Sequence, residues 1–259
     1  MFDVNRYLER IGCAGETGVD IATLRTLHKR HLMTIPYHNG AGQDLSNGIQ
    51  LVDLDEDALF ETVVVGGQGG TCVELNRLFC RLLRELGYDV TPMAATTVEG
   101  RENFGTDVEH MFNRVALDGD DWLVDVGYPG PSYLEPLLVS DTVQRQYGCQ
   151  YRLVDRDSEI ALQRRGVVSR WSVVYTFTMK TRQWSDWRAL EDRVREIVSD
   201  AGRHDGHEVL CGRTFENGQA VLKGRRYLTV RDGREQARTI VSDDEHRVLL
   251  SRILSGDLD

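Results

Sequence analysis

The chain has 259 residues, 41% of them hydrophobic and 28% charged, with a formal net charge of −10. It can build one large soluble domain or two to three smaller ones, and its acidic balance argues against a nucleic-acid or anionic-membrane surface. No window approaches the ~20 apolar residues of a membrane span, the start does not read as a secretory signal, and five scattered cysteines without CxxC spacing argue against a disulfide scaffold or zinc site and for a reducing cytoplasm.

Residues 1–65 read as mainly helical. Val4, Tyr7, Leu8 and Ile11 make one short apolar face, closed by Gly12. Ile21, Leu24, Leu27, His28, Leu32 and Met33 make a second, with Asp20 as N-cap and Pro36 as its stop. Residues 35–43, IPYHNGAGQ, read as a loop in which Asn39-Gly40 and Gly42 supply turns. A helix is expected from Leu54 to Val65, with Asp53 or Asp55 near its start.

Its β-branched end runs into GGQGGT (66–71), and Cys72 follows. Val73, Leu75, Leu78, Phe79, Leu82, Leu83 and Leu86 then recur at helical spacing, with Gly87 as a stop. Cys72 therefore falls at a helix start, where free N–H groups and the helix dipole favour a thiolate, the nucleophilic form. The glycines leave room for a close approach to the backbone. Two plainer readings compete: a buried structural thiol, and a phosphate loop, which lacks the Lys-Ser/Thr and GxGxxG signatures.

After Gly87 the period changes. Residues 89–98, 111–117, 122–128, 150–155, 159–165 and 170–179 read as strands, which predicts an antiparallel barrel or sandwich. From Trp187 a helix returns through Leu190, Val194, Ile197 and Val198. Strand-like pieces at 220–224 and 226–233 follow, then a last helix near Ser242.

A cysteine nucleophile needs a base, and the base an orienting group. His28 and His31 on a helix, His204 and His207 in a polar loop, and His246 on the last helix read as surface or packing residues. His110 at a strand start and Asp125 in WLVDVGY stand out, because an acid between Val124 and Val126 is costly to bury without partners. With a turn centred within 118–121, His110 and Asp125 share a face but are not opposite, and Arg114 faces Asp125 as a competing ion pair.

These residues resemble the arylamine N-acetyltransferase family. Its RGGxCxE motif followed by Asn reads QGGTCVELN at 68–76. Its IPFEN reads IPYHN at 35–39, its DVGFG reads DVGYP at 125–129, its strand histidine is His110, and YLxRIG spans Tyr7 to Gly12. The resemblance covers residues 1–140 and is loose beyond. It implies an α+β, papain-like cysteine fold in three parts: a helical bundle (1–87), an antiparallel β-barrel (88–187) and an α/β lid (188–259). It also implies a Cys72–His110–Asp125 triad and ping-pong transfer of an acyl group from a thioester to an arylamine.

Acyl-CoA or another acyl thioester is then a co-substrate, with no resident cofactor and no metal. Thr106, Glu109, Gly127 and Tyr128 fall where relatives line the acyl and acceptor sites; for Tyr128, barrel packing competes equally. Two departures stand out. Where the family has an arginine and a glutamate that pair to brace the active-site loop, this chain has Gln68 and His38, and a neutral hydrogen bond between them is expected. The family's tail pattern is replaced by residues 199–218, which points to a donor other than acetyl-CoA.

Some relatives are amide synthases of antibiotic biosynthesis, which join an acyl chain from a carrier-protein thioester to an arylamine as a macrolactam. The expected function is a cytoplasmic N-acyltransferase. Its partners are a small amine and an acyl thioester, with an acyl carrier protein as a further candidate. The alternatives are such an amide synthase, or a cysteine hydrolase or transglutaminase-like enzyme.

Overall fold

Helix α1 (Val4–Arg10) begins where the Asp3 carboxylate accepts from Arg6 N. Helix α2 (Ile21–Thr34) begins in the same way at the expected cap, Asp20, and ends at Ile35 in an extended conformation, as the residue before a proline prefers. The computed structural model describes residues 1–40, 50–97, 105–200 and 208–258. Gly42, Val98, His204 and His207, and part of the divergent 199–218 segment, lie outside them.

The third helix is shorter and wider than expected. The Asp55 carboxylate caps α3 (Glu56–Leu59), which passes into a π-helical turn over Phe60–Val65. The run Thr62-Val63-Val64-Val65 crowds a regular α-helical turn, and the wider turn relieves the crowding. Gly66 N donates five residues back, to Glu61 O, at 2.8 Å. The glycine loop then leads into α4 (Cys72–Glu85). Glu74 Oε2 accepts from Thr71 N at 2.7 Å and Thr71 Oγ1 at 2.9 Å, a box that fixes the first turn.

Eight antiparallel strands follow: β2 (Asp89–Thr96), β3 (His110–Leu117), β4 (Asp120–Val124), β5 (Leu137–Leu138), β6 (Gln144–Gln146), β7 (Cys149–Arg156), β8 (Glu159–Arg165) and β9 (Ser172–Phe177). Their order is β5-β4-β3-β2-β9-β8-β7-β6, so β5 and β6 are the edges. The sheet nearly closes into a barrel, and glutamine side chains join those edges. Gln144 Oε1 accepts from Leu138 N at 2.9 Å while its Nε2 donates to Leu138 O at 2.8 Å. Gln146 makes the matching bonds to Leu134 N, Glu135 N and Glu135 O. A side-chain amide carries the same donor and acceptor as a peptide unit, so it can stand in for a ladder.

Helix α5 (Arg188–Asp200) is tied to the N-terminal part through Glu191, whose carboxylate accepts from Leu51 N and from Val52 N, the latter at 2.7 Å. The lid is a meander of β10 (Leu210–Phe215), β11 (Gly218–Lys223), β12 (Arg226–Arg231) and β13 (Arg234–Thr239). The two-residue strand β1 (Tyr37–His38) pairs with β10 and adds a fifth strand to this sheet. Helix α6 (Asp243–Ser255), capped by Ser242 as expected, packs against β10.

Val115, Val124 and Val126 of the barrel share one core cluster with Tyr7, Leu24, Phe60, Leu75 and Leu78 of the helices. The three-part architecture is thus helices, barrel and lid. No helix among the described residues is long and apolar enough to cross a membrane.

Candidate active site

Cys72 is the first residue of α4 and is partly exposed. Its position is set by two backbone staples between the glycine loop and β1. Gly70 N donates to Pro36 O at 3.3 Å, and His38 N donates to Gly70 O at 3.0 Å. Gly69 has φ +74, and a side chain there would run into the Pro36 carbonyl, so a glycine is required.

His110 opens β3, and Asp125 lies one residue past β4. The register between these strands differs from the sequence reading. The turn is the two-residue Asp118-Gly119, with φ of 54° and 88°, as an Asp-Gly hairpin prefers. Leu117 therefore faces Asp120, and Arg114 faces Leu123 and bonds Asp121 at 3.4 Å. The competing Arg114–Asp125 ion pair is not formed. In this register a continued ladder would put Asp125 opposite Phe112, whose side chain shares a face with His110.

The ladder does not continue, because Asn76 splits it. Asn76 Nδ2 donates to Met111 O at 2.7 Å, and Val126 N donates to Asn76 Oδ1 at 3.0 Å. One side-chain amide thus sits where Val126 N and Met111 O would otherwise bond directly. β4 peels away from β3, and the Asp125 carboxylate turns to meet His110 Nε2 at 2.7 Å. Its other oxygen, Oδ1, accepts from Asn76 Nδ2 at 3.1 Å and Gly127 N at 3.0 Å.

Asn76 entered the sequence reading only as the last residue of the 68–76 motif, with no role assigned to it. The available signal was a polar side chain four residues after Cys72, hence on the same helix face, in an otherwise apolar stripe.

The electrostatics follow from burial and pairing. Burial alone pulls the His110 pKa down, but the Asp125 charge, its hydrogen bond and the bond to Cys72 outweigh it and raise the pKa to about 10. Burial pushes the Asp125 carboxyl up; the charge and hydrogen bonds of His110, Gly127 N and Asn76 more than reverse this and hold it low. With Nε2 committed to Asp125, the ring has Nδ1 left for Cys72. Cys72 Sγ also lies 4.0 Å from Glu109 O.

The other sequence-predicted residues are placed as follows. The Gly127 Cα packs directly on Cys72: an added Cβ would lie 2.8 Å from Cys72 Cα and 2.7 Å from Asn76 Nδ2. Tyr128 packs edge-on against His110, with ring centroids 5.3 Å apart, and its hydroxyl donates to Val174 O at 2.9 Å. It also lines a small open cleft of about 20 Å³ with Tyr37, Gly130, Gly212 and Gln219, so packing and lining are combined in one ring. Glu109 uses its carboxylate to accept from Thr97 N at 3.0 Å. The Thr106 hydroxyl is buried without a hydrogen-bond partner among the described residues.

His38 and Gln68 do not form the expected hydrogen bond. The Gln68 side chain is exposed, and loop support comes instead from the backbone bonds of His38 and Gly70. Backbone bonds do not depend on side-chain identity, so both charged partners of the family's pair can be absent together. Stability losses from His38→Ala and Gln68→Ala should therefore add to within about 0.5 kcal/mol in the double variant; chemical denaturation of the four proteins measures this, and a larger coupling would restore the direct contact. His28 and His31, read as surface or packing residues, are both fully buried.

Comparison with known proteins assigns the chain to a family. The N-acetyltransferase family model matches residues 20–258. The chain is 65% identical to proansamycin X synthase of Amycolatopsis mediterranei over 257 residues, 99% of this chain and 98% of that protein. It is 35% identical to arylamine N-acetyltransferase of Escherichia coli over 89% of this chain and 80% of that protein. The structure of Mycobacterium marinum arylamine N-acetyltransferase in complex with CoA superposes with a TM-score of 0.79 at 27% identity, over 99% of this chain and 95% of that one. The chain belongs to the arylamine N-acetyltransferase family of acyltransferases.

Proposed function

We propose that the enzyme works by ping-pong transfer through an acyl-Cys72 intermediate, with Cys72, His110 and Asp125 as its triad. The observation that carries this reading is the 2.7 Å bond from His110 Nε2–H to Asp125, on a histidine whose other side meets Cys72. Asp125 holds the proton on Nε2, so Nδ1 is the nitrogen that takes the Cys72 proton. The thiolate adds to the thioester carbonyl, and backbone N–H groups at the start of α4 stabilise the oxyanion. The donor thiol leaves with the proton from His110. An amine then attacks the acyl-Cys72 carbonyl, His110 takes its proton, and the Cys72 thiolate departs. The reducing cytoplasm that suits a free Cys72 is the compartment we assign, and we keep the divisions between parts at residues 87 and 187.

For the donor and acceptor, the likeness to proansamycin X synthase is far stronger than that to the E. coli acetyltransferase. This supports the amide synthase reading: a larger acyl chain, delivered as a carrier-protein thioester and joined to an arylamine. Acetyl-CoA and a long-chain acyl thioester, each free and carrier-bound, should be compared in single-turnover acylation of Cys72. The long chain should react at least tenfold faster per unit concentration. Faster acylation by acetyl-CoA would return the enzyme to simple arylamine acetylation, and rapid loss to free acid without amine would make it a hydrolase.

A further inference from the structure

His28 lies 97 residues before Asp125 and outside every motif that carries the resemblance. Its ring is fully buried, stacked on Tyr133 at 5.7 Å with an interplanar angle of 8°, and edge-on to Phe79. Nδ1 lies 2.9 Å from Leu134 O, and Nε2 lies 3.1 Å from Asp125 N and 3.0 Å from Asp125 O. A proton on Nδ1 satisfies two of these partners, since Nδ1–H donates to Leu134 O and Nε2 accepts from the Asp125 N–H; a proton on Nε2 would satisfy only Asp125 O, so the first arrangement is the better one. Burial lowers the His28 pKa and favours the neutral ring. One imidazole on α2 thus joins the peptide at Asp125 to the segment that precedes β5.

The location explains why such a clamp is needed. In the β3–β4 register Asp125 stands at a non-hydrogen-bonded position opposite Phe112, so its N–H points away from β3 towards the segment before β5, and the β4–β5 ladder stops two residues short of it, at Leu123–Leu137. A buried N–H without a partner is costly, and a mobile Asp125 backbone would let the carboxylate drift from His110. We propose that His28 is a positioning residue: it replaces the missing ladder bond at Asp125 and thereby holds the carboxylate on His110. This rests on the triad reading above. His28 touches neither Cys72 nor His110; it acts only through Asp125.

Three variants separate positioning from packing. His28→Phe keeps the stacked ring but removes both hydrogen bonds. His28→Gln keeps a donor and an acceptor on a different frame. His28→Ala removes everything. The readouts are thermal stability and the pH titration of the His110 ring followed by NMR, whose upper limb marks loss of the His110 proton. Since Asp125 raises the His110 pKa, loosening Asp125 should move that limb down by at least one pH unit in His28→Phe. The proton dissociation constant of His110 should rise about tenfold, the factor that corresponds to one pH unit. His28→Gln should recover part of this shift.

A purely structural role would lower the melting temperature and leave the limb in place; that outcome in any folded His28 variant overturns the proposal. If His28→Phe does not fold, His28→Gln decides alone: a shifted limb supports the clamp, and an unshifted one overturns it. Asp125→Asn serves as the reference. If it moves the limb and no His28 variant does, the triad stands and the clamp falls. If Asp125→Asn is also silent, the triad reading itself has failed.

Discussion

Asp125→Asn should leave a folded protein whose transfer rate is about three to four orders of magnitude lower. The reason is directional. Oδ1 of Asp125 accepts from Asn76 Nδ2 and Gly127 N, so the amide oxygen of an asparagine must take that side. Its NH2 group then occupies the Oδ2 position, 2.7 Å from His110 Nε2. Two donors cannot share that line, so Nε2 must become an acceptor and the ring proton must move to Nδ1, towards Cys72. A histidine in that tautomer cannot take the Cys72 proton. The neutral ring leaves no stranded charge, so the fold should survive.

The same substitution should flatten the pH dependence of stability. His110 is raised from its ordinary 6.5 to about 10, so its contribution is fully present below about pH 6.5 and is lost as pH rises through about 10. Asp125, held low, contributes above its ordinary carboxylate range and loses this as pH falls through its lowered folded value. The variant lacks both slopes. Steady-state rates with circular dichroism melts across pH check this; near-normal rates would remove Asp125 from the mechanism.

Gly127→Ala should be nearly as damaging, by a different route. Its φ is not in the left-handed region, so the backbone tolerates alanine; the space does not. The new methyl would meet Cys72 Cα at 2.8 Å, Cys72 O at 3.0 Å and Asn76 Nδ2 at 2.7 Å. Two of these are backbone atoms of the helix that presents the nucleophile, and the third is the wedge that aims Asp125. None is the loose end of a flexible side chain.

Overpacking of this kind costs about 1–3 kcal/mol, or roughly 2–12 °C in melting temperature for a chain of this size. The larger effect should be on acylation, since a displacement of about 1 Å at the reacting centre can cost ~100-fold in rate. Single-turnover acylation beside a thermal melt measures both. Wild-type acylation in a folded Gly127→Ala protein would mean that the contact between Gly127 and α4 does not position Cys72.

Much of this site can be read from local chemistry. The helix start at Cys72 follows from a glycine loop and an apolar period, and the caps at Asp20 and Ser242 follow from side chains that bond the first free N–H groups. The strand register was harder. Centring the turn within residues 118–121 overlooked that Asp118-Gly119 alone makes the tightest hairpin, and the error of two residues put Arg114 opposite Asp125. Even the correct register could not have produced the His110–Asp125 contact, because it depends on Asn76 splitting the ladder from another element.

The same holds for β6, where Gln144 and Gln146 replace backbone partners, and for β13, whose six exposed residues carry no alternating pattern. Long-range substitution of side chain for backbone leaves no periodicity behind. The Gln68–His38 expectation failed for a related reason. It assumed that a lost ion pair must be replaced by another side-chain contact, when backbone bonds to Gly70 already held the loop.

Intact-protein and peptide mass spectrometry after brief exposure to an acyl thioester, with no amine present, tests the central claim most directly. A single acyl adduct should appear on the peptide that contains Cys72, should be discharged by an arylamine with formation of the amide, and should be absent from Cys72→Ala. Amide formation by Cys72→Ala at the wild-type rate, or an adduct on Cys13, Cys80, Cys149 or Cys211 in place of Cys72, would contradict it.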